Sequence, residues 1–79
     1  MLARVFITLK PGVLDPAGKA VEGSLHSLGY REVGSVRLGK YIEVQLEDGD
    51  PAKAKARVEE MCRKLLANTV VENYRVEIG

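Results

Sequence analysis

The stretch Leu9-Lys10-Pro11-Gly12-Val13-Leu14-Asp15-Pro16-Ala17-Gly18 stops a strand, turns the chain and opens a helix within ten residues. Pro11 has no N–H and cannot extend a sheet ladder, so a strand before it ends there. Gly12 supplies a turn position that tolerates positive φ. Asp15-Pro16 reads as a helix start: the carboxylate accepts from the free N–H groups of the first turn, and proline suits the first helical position. The same pair recurs at Asp50-Pro51, which fixes a second helix start. Local punctuation leaves Lys10, Val13 and Leu14 unexplained.

Around these fixed points the hydrophobic period changes along the chain. In residues 2–10, Ala3, Val5, Ile7 and Leu9 alternate with Leu2, Arg4, Phe6 and Thr8, the pattern of a strand with one buried face. After Asp15, the residues Ala17, Val21, Ser24, Leu25 and Leu28 fall on one side of a helix, and Gly29 suits its left-handed end. Gly18 and Gly23 each cost that helix about 1 kcal/mol against alanine, which points first to close approach of the helix to the sheet, with close approach of a partner as the alternative. Residues 32–38 read as a second strand, with Gly39-Lys40 as a short turn into a third at 41–47, making a hairpin. Asp48-Gly49-Asp50-Pro51 is a loop into the second helix, which runs to about Leu66 with Ala54, Val58, Met61, Cys62 and Leu65 as its apolar stripe. Glu59–Arg63 and Glu60–Lys64 support it as i,i+4 pairs. Asn68, tolerant of positive φ, ends it, and a last strand lies within residues 70–78.

The order is β-α-β-β-α-β in a single domain, 1–79: an α+β two-layer sandwich of the ferredoxin-like kind, an antiparallel sheet with both helices on one face. Right-handed crossovers put the first strand beside the last and beside the third. The other face of the sheet then carries Phe6, Val33 and Tyr41 among Arg4, Thr8, Arg37, Glu43, Gln45, Arg75 and Glu77.

Size and charge restrict the function. A 79-residue domain buries only about 60% of its unfolded surface and is marginal alone. Cys62 is the single cysteine, so no intrachain disulfide compensates, and association through the open sheet face is expected. Twelve Lys and Arg against eleven Asp and Glu give a net charge of +1, which argues against a nucleic-acid partner. No apolar run is long enough to span a membrane, and Met1-Leu2-Ala3-Arg4 lacks the apolar region of a signal peptide. The expected location is the cytoplasm, with no membrane partner.

Residues for catalysis are scarce. His26 falls opposite Val21, Leu25 and Leu28 and is expected to face solvent without a partner. Cys62, between Val58 and Leu65, reads as a buried structural thiol. Glycine-rich phosphate loops and metal-ligand spacings are absent, so the reading assigns no catalytic, cofactor or metal residue to this chain. By analogy of fold alone, an RNA-recognition domain finds too few aromatics and no basic excess here, and a copper chaperone lacks its CxxC. A regulatory domain binding a small molecule near the Lys10–Asp15 turn stays as the alternative.

Three blocks together resemble one family. They are Leu9 to Gly18, then Val36-Arg37-Leu38-Gly39-Lys40, then Leu65-Leu66-Ala67-Asn68-Thr69-Val70-Val71-Glu72-Asn73-Tyr74. With matching length and spacing over nearly the whole chain, they are similar to PurS, the small S subunit of phosphoribosylformylglycinamidine (FGAM) synthase. Thr69 and Asn73 depart from the proline and aspartate usual in the family. The resemblance implies a non-catalytic subunit of an ATP- and glutamine-dependent carbon–nitrogen ligase of purine biosynthesis. It implies a homodimer or homotetramer that bridges a glutaminase subunit and a large synthetase subunit and assists ammonia transfer. ATP and Mg2+ then belong to the large subunit, not to this chain. Candidate partner-facing residues are Lys10, Asp15, Arg37, Lys40, Asn68 and Glu72, each with a plain structural alternative.

Overall fold

The alternation of residues 2–9 becomes β1 (Leu2–Leu9), the middle strand of the sheet, with Ala3, Val5 and Ile7 fully buried on its inner face. β2 (Gly39–Gln45) and β3 (Glu72–Ile78) flank it, both antiparallel, in the order β2-β1-β3. The register sets Val5 beside Ile42 on one side and Val76 on the other. This neighbour relation is the one expected from right-handed crossovers. The computed structural model describes residues 1–47 and 49–79; Asp48 of the loop read before the second helix lies outside the described residues.

Both Asp-Pro pairs start helices as read. α1 (Pro16–Ser27) is capped by Asp15, whose Oδ1 accepts from the Gly18 N–H at 2.9 Å, and Gly29 follows it at φ 101°. α2 (Pro51–Met61) is capped by Asp50, which accepts from the Ala52 N–H at 3.0 Å. α2 lies across β1 and β3, and Val58, Cys62, Ala67 and Val76 close the core with the β1 residues. Removing these apolar side chains from water, at about 25 cal/mol per Å2, is the main favourable term.

The second helix ends in a π-helical turn, Cys62–Leu66, closed by the Ala67 N–H on the Cys62 carbonyl at 2.9 Å. The wider turn rotates the stripe by one residue. Leu65, read as core from a 3.6 period, is 83% exposed, and Leu66 packs on the core in its place. Asn68 is not at positive φ. It stops the helix by accepting the Val70 N–H on its side-chain oxygen (3.2 Å) and the Val71 and Glu72 N–H groups on its carbonyl (3.0 and 2.7 Å).

The α+β class stands, but the sheet has three strands among the described residues. Residues 32–38, read as a hairpin strand, instead form a strap along α1. The reason lies in their backbone bonding. The Val33 carbonyl accepts from His26 Nε2 at 2.7 Å, and the Leu38 N–H donates to Asp15 Oδ2 at 3.0 Å. Helix side chains satisfy groups that a ladder would otherwise take. His26 is therefore half-buried against the strap rather than free in solvent, and Val33 and Arg37 are not on the open sheet face. Gly18 is buried where the helix meets the strap: an added Cβ would stand 2.5 Å from the Val36 carbonyl oxygen. The close approach is to the strap, not to the sheet, and Gly23 has nothing near it.

α1 and its strap form an arm leaving the end of the sheet. α1 makes no extensive contact with any strand. The molecule measures 48 × 24 × 14 Å, with a radius of gyration of 15.8 Å, against about 12 Å for a compact chain of this length.

Candidate assembly surface

β1 ends, and β2 and β3 begin, at one end of the sheet, because the antiparallel register opposes Leu9 to Glu72 and Thr8 to Gly39. The arm is rooted at this end. Lys10 leaves β1 with its N–H on the Val71 carbonyl at 2.8 Å, and the Val13 N–H returns to the Lys10 carbonyl at 3.1 Å. Gly12 makes the turn between them at φ 85°.

Asp15 ties the root together. One carboxylate oxygen accepts from Gly18 in the helix and the other from Leu38 in the strap. These two N–H groups, with the nearby Arg37 guanidinium, hold its carboxyl below the usual range. Arg37 donates from Nη2 to the Leu9 carbonyl and to the Lys10 carbonyl, the latter at 3.1 Å. Across the same end, Lys40 pairs with Glu72 at 3.5 Å, and Glu72 accepts the Asn68 N–H at 2.7 Å.

Lys10, Asp15, Arg37, Lys40, Asn68 and Glu72, chosen from separate blocks of sequence, thus converge on one end of the sheet. Two bonding knots account for Asp15 with Arg37 and for Lys40 with Glu72 and Asn68. Lys10 makes no ion pair among the described residues. It lines an open cleft of about 370 Å3 with Arg63, Glu72, Asn73 and Tyr74. At the Lys10–Asp15 turn both Asp15 oxygens and the Arg37 Nη2 are already engaged with backbone, beside an open cavity of about 320 Å3 lined by Val13, Leu14, Asp15 and Arg37.

The open sheet face is ordered as well. The Phe6 ring lies 5.2 Å from that of Tyr41, and the Arg75 guanidinium sits 4.3 Å over its other side. Arg4 stands between Glu43 and Glu77 in register, and the Tyr41 hydroxyl donates to Glu43 at 2.8 Å. The stacking of Arg75 on Phe6 follows from strand phase and pairing, and only the register reveals it. Tyr74 takes the inner side, its hydroxyl accepting from Arg63 at 3.3 Å. The α1 stripe is another matter. Val21 and Leu28 are 37% and 73% exposed, and only Leu25 of its large side chains is half-buried.

Among the described residues no three His, Cys, Asp or Glu side chains stand together, and no helix is long and apolar enough to cross a membrane. Cys62 is fully buried, and burial, with Glu59 nearby, pushes its thiol up.

A sequence model of the family "PurS: Phosphoribosylformylglycinamidine (FGAM) synthase" matches residues 2–79. The subunit PurS of this synthase from Synechocystis is 56% identical over 95% of this chain and 75% of its own length. The solved structure of Bacillus subtilis PurS shares 51% identity, covers 96% of this chain and 94% of that one, and superposes with a TM-score of 0.84. A chain in the structure of PurLQS from Thermotoga maritima is 34% identical, covers 98% of this chain and 96% of its own, and gives a TM-score of 0.83.

Proposed function

The chain belongs to the PurS family of phosphoribosylformylglycinamidine synthase subunits, and from that premise we propose that it joins the synthetase and glutaminase subunits and assists the passage of ammonia between them. The enzyme is a ligase complex of purine biosynthesis. In this reading the glutaminase releases ammonia from glutamine. The large subunit, with ATP and Mg2+, activates the formamide oxygen of formylglycinamide ribonucleotide, and ammonia replaces that oxygen. This chain contributes surfaces rather than reacting groups: it associates with itself as a dimer or tetramer and holds no cofactor. Its site of action is the cytoplasm.

The observation that carries the reading is the likeness of nearly the whole chain to a chain of a PurLQS structure. The geometry supports a partner surface at the root of the arm, where residues from each matching block converge. Lys10 and Lys40 are the side chains there with charge to offer outward. Lys10 lacks an ion pair among the described residues, and the Lys40 side chain is 56% exposed.

The test is reconstitution. FGAM formation is measured with glutamine and, separately, with ammonium as nitrogen donor, with and without this chain. The expected result is a glutamine-driven rate that collapses without the chain and an ammonium-driven rate that persists. An unchanged glutamine-driven rate in its absence refutes the bridging role.

A further inference from the structure

The cleft at the root of the arm is built almost wholly from hydrogen-bond donors. Lys10, Arg63, Thr69, Glu72, Asn73 and Tyr74 line it, brought together from the end of β1, the π-helical turn, the loop after that turn and the start of β3. Lys10 is half-buried, and its backbone is held on both sides: its N–H donates to the Val71 carbonyl, and its own carbonyl accepts from Val13 and Arg37. Neither its ammonium nor the Arg63 guanidinium makes an ion pair among the described residues. Arg63 donates from Nη1 to the Tyr74 hydroxyl, which fixes the side chain and leaves most of its planar fork free. That bond uses Tyr74 as an acceptor, so its own proton is left to donate, with no acceptor among the described residues. Glu72 is the one carboxylate in the wall, and it is already engaged by Lys40 at 3.5 Å and by the Asn68 N–H at 2.7 Å.

Charge and shape narrow what such a cleft takes. Counted with Lys40, three cations face one carboxylate, in a chain whose net charge is only +1. Two unpaired cations with a hydroxyl and an amide beside them select an acceptor-rich anion, and a guanidinium fork engages the oxygens of phosphate or carboxylate two at a time. Donors that arrive from three segments address oxygens on three sides, which a tetrahedral phosphate offers and a flat carboxylate does not. The volume, about 370 Å3, exceeds what a bare oxyanion needs and lies at the lower end of the range for small organic ligands, about 300–1,000 Å3. The turn that carries Arg63 is a second pointer, because single π-helical turns are rare and recur at functional sites.

We propose that this cleft binds a sugar phosphate, with the phosphate on Lys10, Arg63 and the Tyr74 hydroxyl and the sugar hydroxyl groups on Asn73 and Glu72. The Glu72 oxygens keep lone pairs beyond the bonds from Lys40 and Asn68, so they accept from a hydroxyl while repelling a second anion. That sets the orientation: the phosphate lies on the Lys10 and Arg63 side, and the carbon skeleton extends towards Glu72. A ligand with a phosphate and no hydroxyl groups leaves Asn73 and Glu72 unused, and a neutral sugar leaves both cations unanswered. The site is separate from the bridging role, since all of its residues belong to one chain and binding is read on that chain alone.

The test uses the full chain, in whatever oligomeric state it adopts, in a phosphate-free buffer. Calorimetric titrations are run with ribose-5-phosphate, inorganic phosphate and ribose, and backbone amide resonances are followed in parallel. The expected result is saturable binding of ribose-5-phosphate with a Kd below about 1 mM, weaker binding of inorganic phosphate and none of ribose, with resonance shifts centred on Lys10, Arg63 and Asn73. Lys10→Met and Arg63→Met should each weaken binding at least about tenfold, while circular dichroism keeps the native spectrum. Lys64→Met removes a neighbouring cation that lies outside the cleft and pairs with Glu60, and should leave binding unchanged. No binding of ribose-5-phosphate at millimolar concentration, or equal losses in all three variants, overturns the site. Inorganic phosphate bound as tightly as ribose-5-phosphate shows a bare oxyanion as the occupant and overturns the sugar phosphate.

Discussion

Gly18→Ala and Gly23→Ala make the same chemical change in one helix, and their surroundings give them opposite signs. At position 18 the new methyl would lie 2.5 Å from the Val36 carbonyl oxygen and 2.8 Å from the Asp15 carboxylate carbon. Neither neighbour can simply step aside. Val36 sits in the strap, pinned by the Leu38 N–H on Asp15, and the Asp15 carboxylate is also the cap of the helix itself. Overpacking of this kind costs about 1–3 kcal/mol, and alanine recovers about 1 kcal/mol over glycine in a helix. Because the methyl also displaces the cap, the net effect falls at the upper end, a loss of about 2 kcal/mol. At position 23 nothing lies within 4 Å, so the propensity gain of up to about 1 kcal/mol stands alone. At about 4–8 °C per kcal/mol, thermal unfolding followed by circular dichroism should fall for the first variant and rise for the second. Amide exchange in α1 reports the same ordering if the arm opens before the sheet. A Gly18→Ala chain as stable as the native one would refute the packing of helix on strap.

Three further outcomes follow from bonds described above. Asp15 has a folded pKa below its ordinary value, because the Gly18 and Leu38 N–H groups and Arg37 favour the charged form. Its contribution is therefore complete above the unfolded value near pH 4 and is lost as pH falls through the lower folded value. Thermal unfolding of Asp15→Asn should accordingly decline less steeply than that of the native chain on acidification below about pH 5, and parallel profiles would contradict this. Cys62, buried and pushed toward the thiol form, should resist a thiol reagent until the chain is unfolded; rapid labelling of the native chain would place it at the surface. Lys40→Ala removes an exposed pair worth under about 1 kcal/mol, whereas Glu72→Ala also removes the acceptor of the exposed Asn68 N–H bond and should cost roughly another 0.5–1 kcal/mol, the net worth of a bond that water can replace. Equal losses in chemical denaturation would show that the Asn68 bond adds nothing.

Much of this architecture is legible in the residues because its signals are local. The Asp-Pro pairs at 15–16 and 50–51 carry their own capping chemistry, and the alternation of Ala3, Val5 and Ile7 fixes both a strand and its buried face. Two features escape for the same reason, that backbone partners distant in sequence decide them. Residues 32–38 offer a plausible strand, but His26 and Asp15 engage their backbone first. Leu65 and Leu66 exchange places because one wide turn breaks the 3.6 period on which the stripe depends. The candidate surface shows the same division. Asp15 as a cap is visible in sequence, while Arg37 on the carbonyls of Leu9 and Lys10 depends on a strap whose course no local pattern reveals.

The central position of β1 has a consequence for how the chain is made. β1 is made before both strands that pair with it, and Ala3 must wait for Ile78 to complete its pairing. When residue 45 has emerged, only the β1–β2 pair can form, and a two-stranded ribbon is marginal in water. Val58 and Cys62, which cover its apolar face, have yet to emerge. At about 5–20 residues per second this interval lasts a few seconds, during which Val5 and Ile7 are open to any holdase that binds apolar segments. The sheet is therefore complete only once β3 has emerged, rather than growing strand by strand from β1.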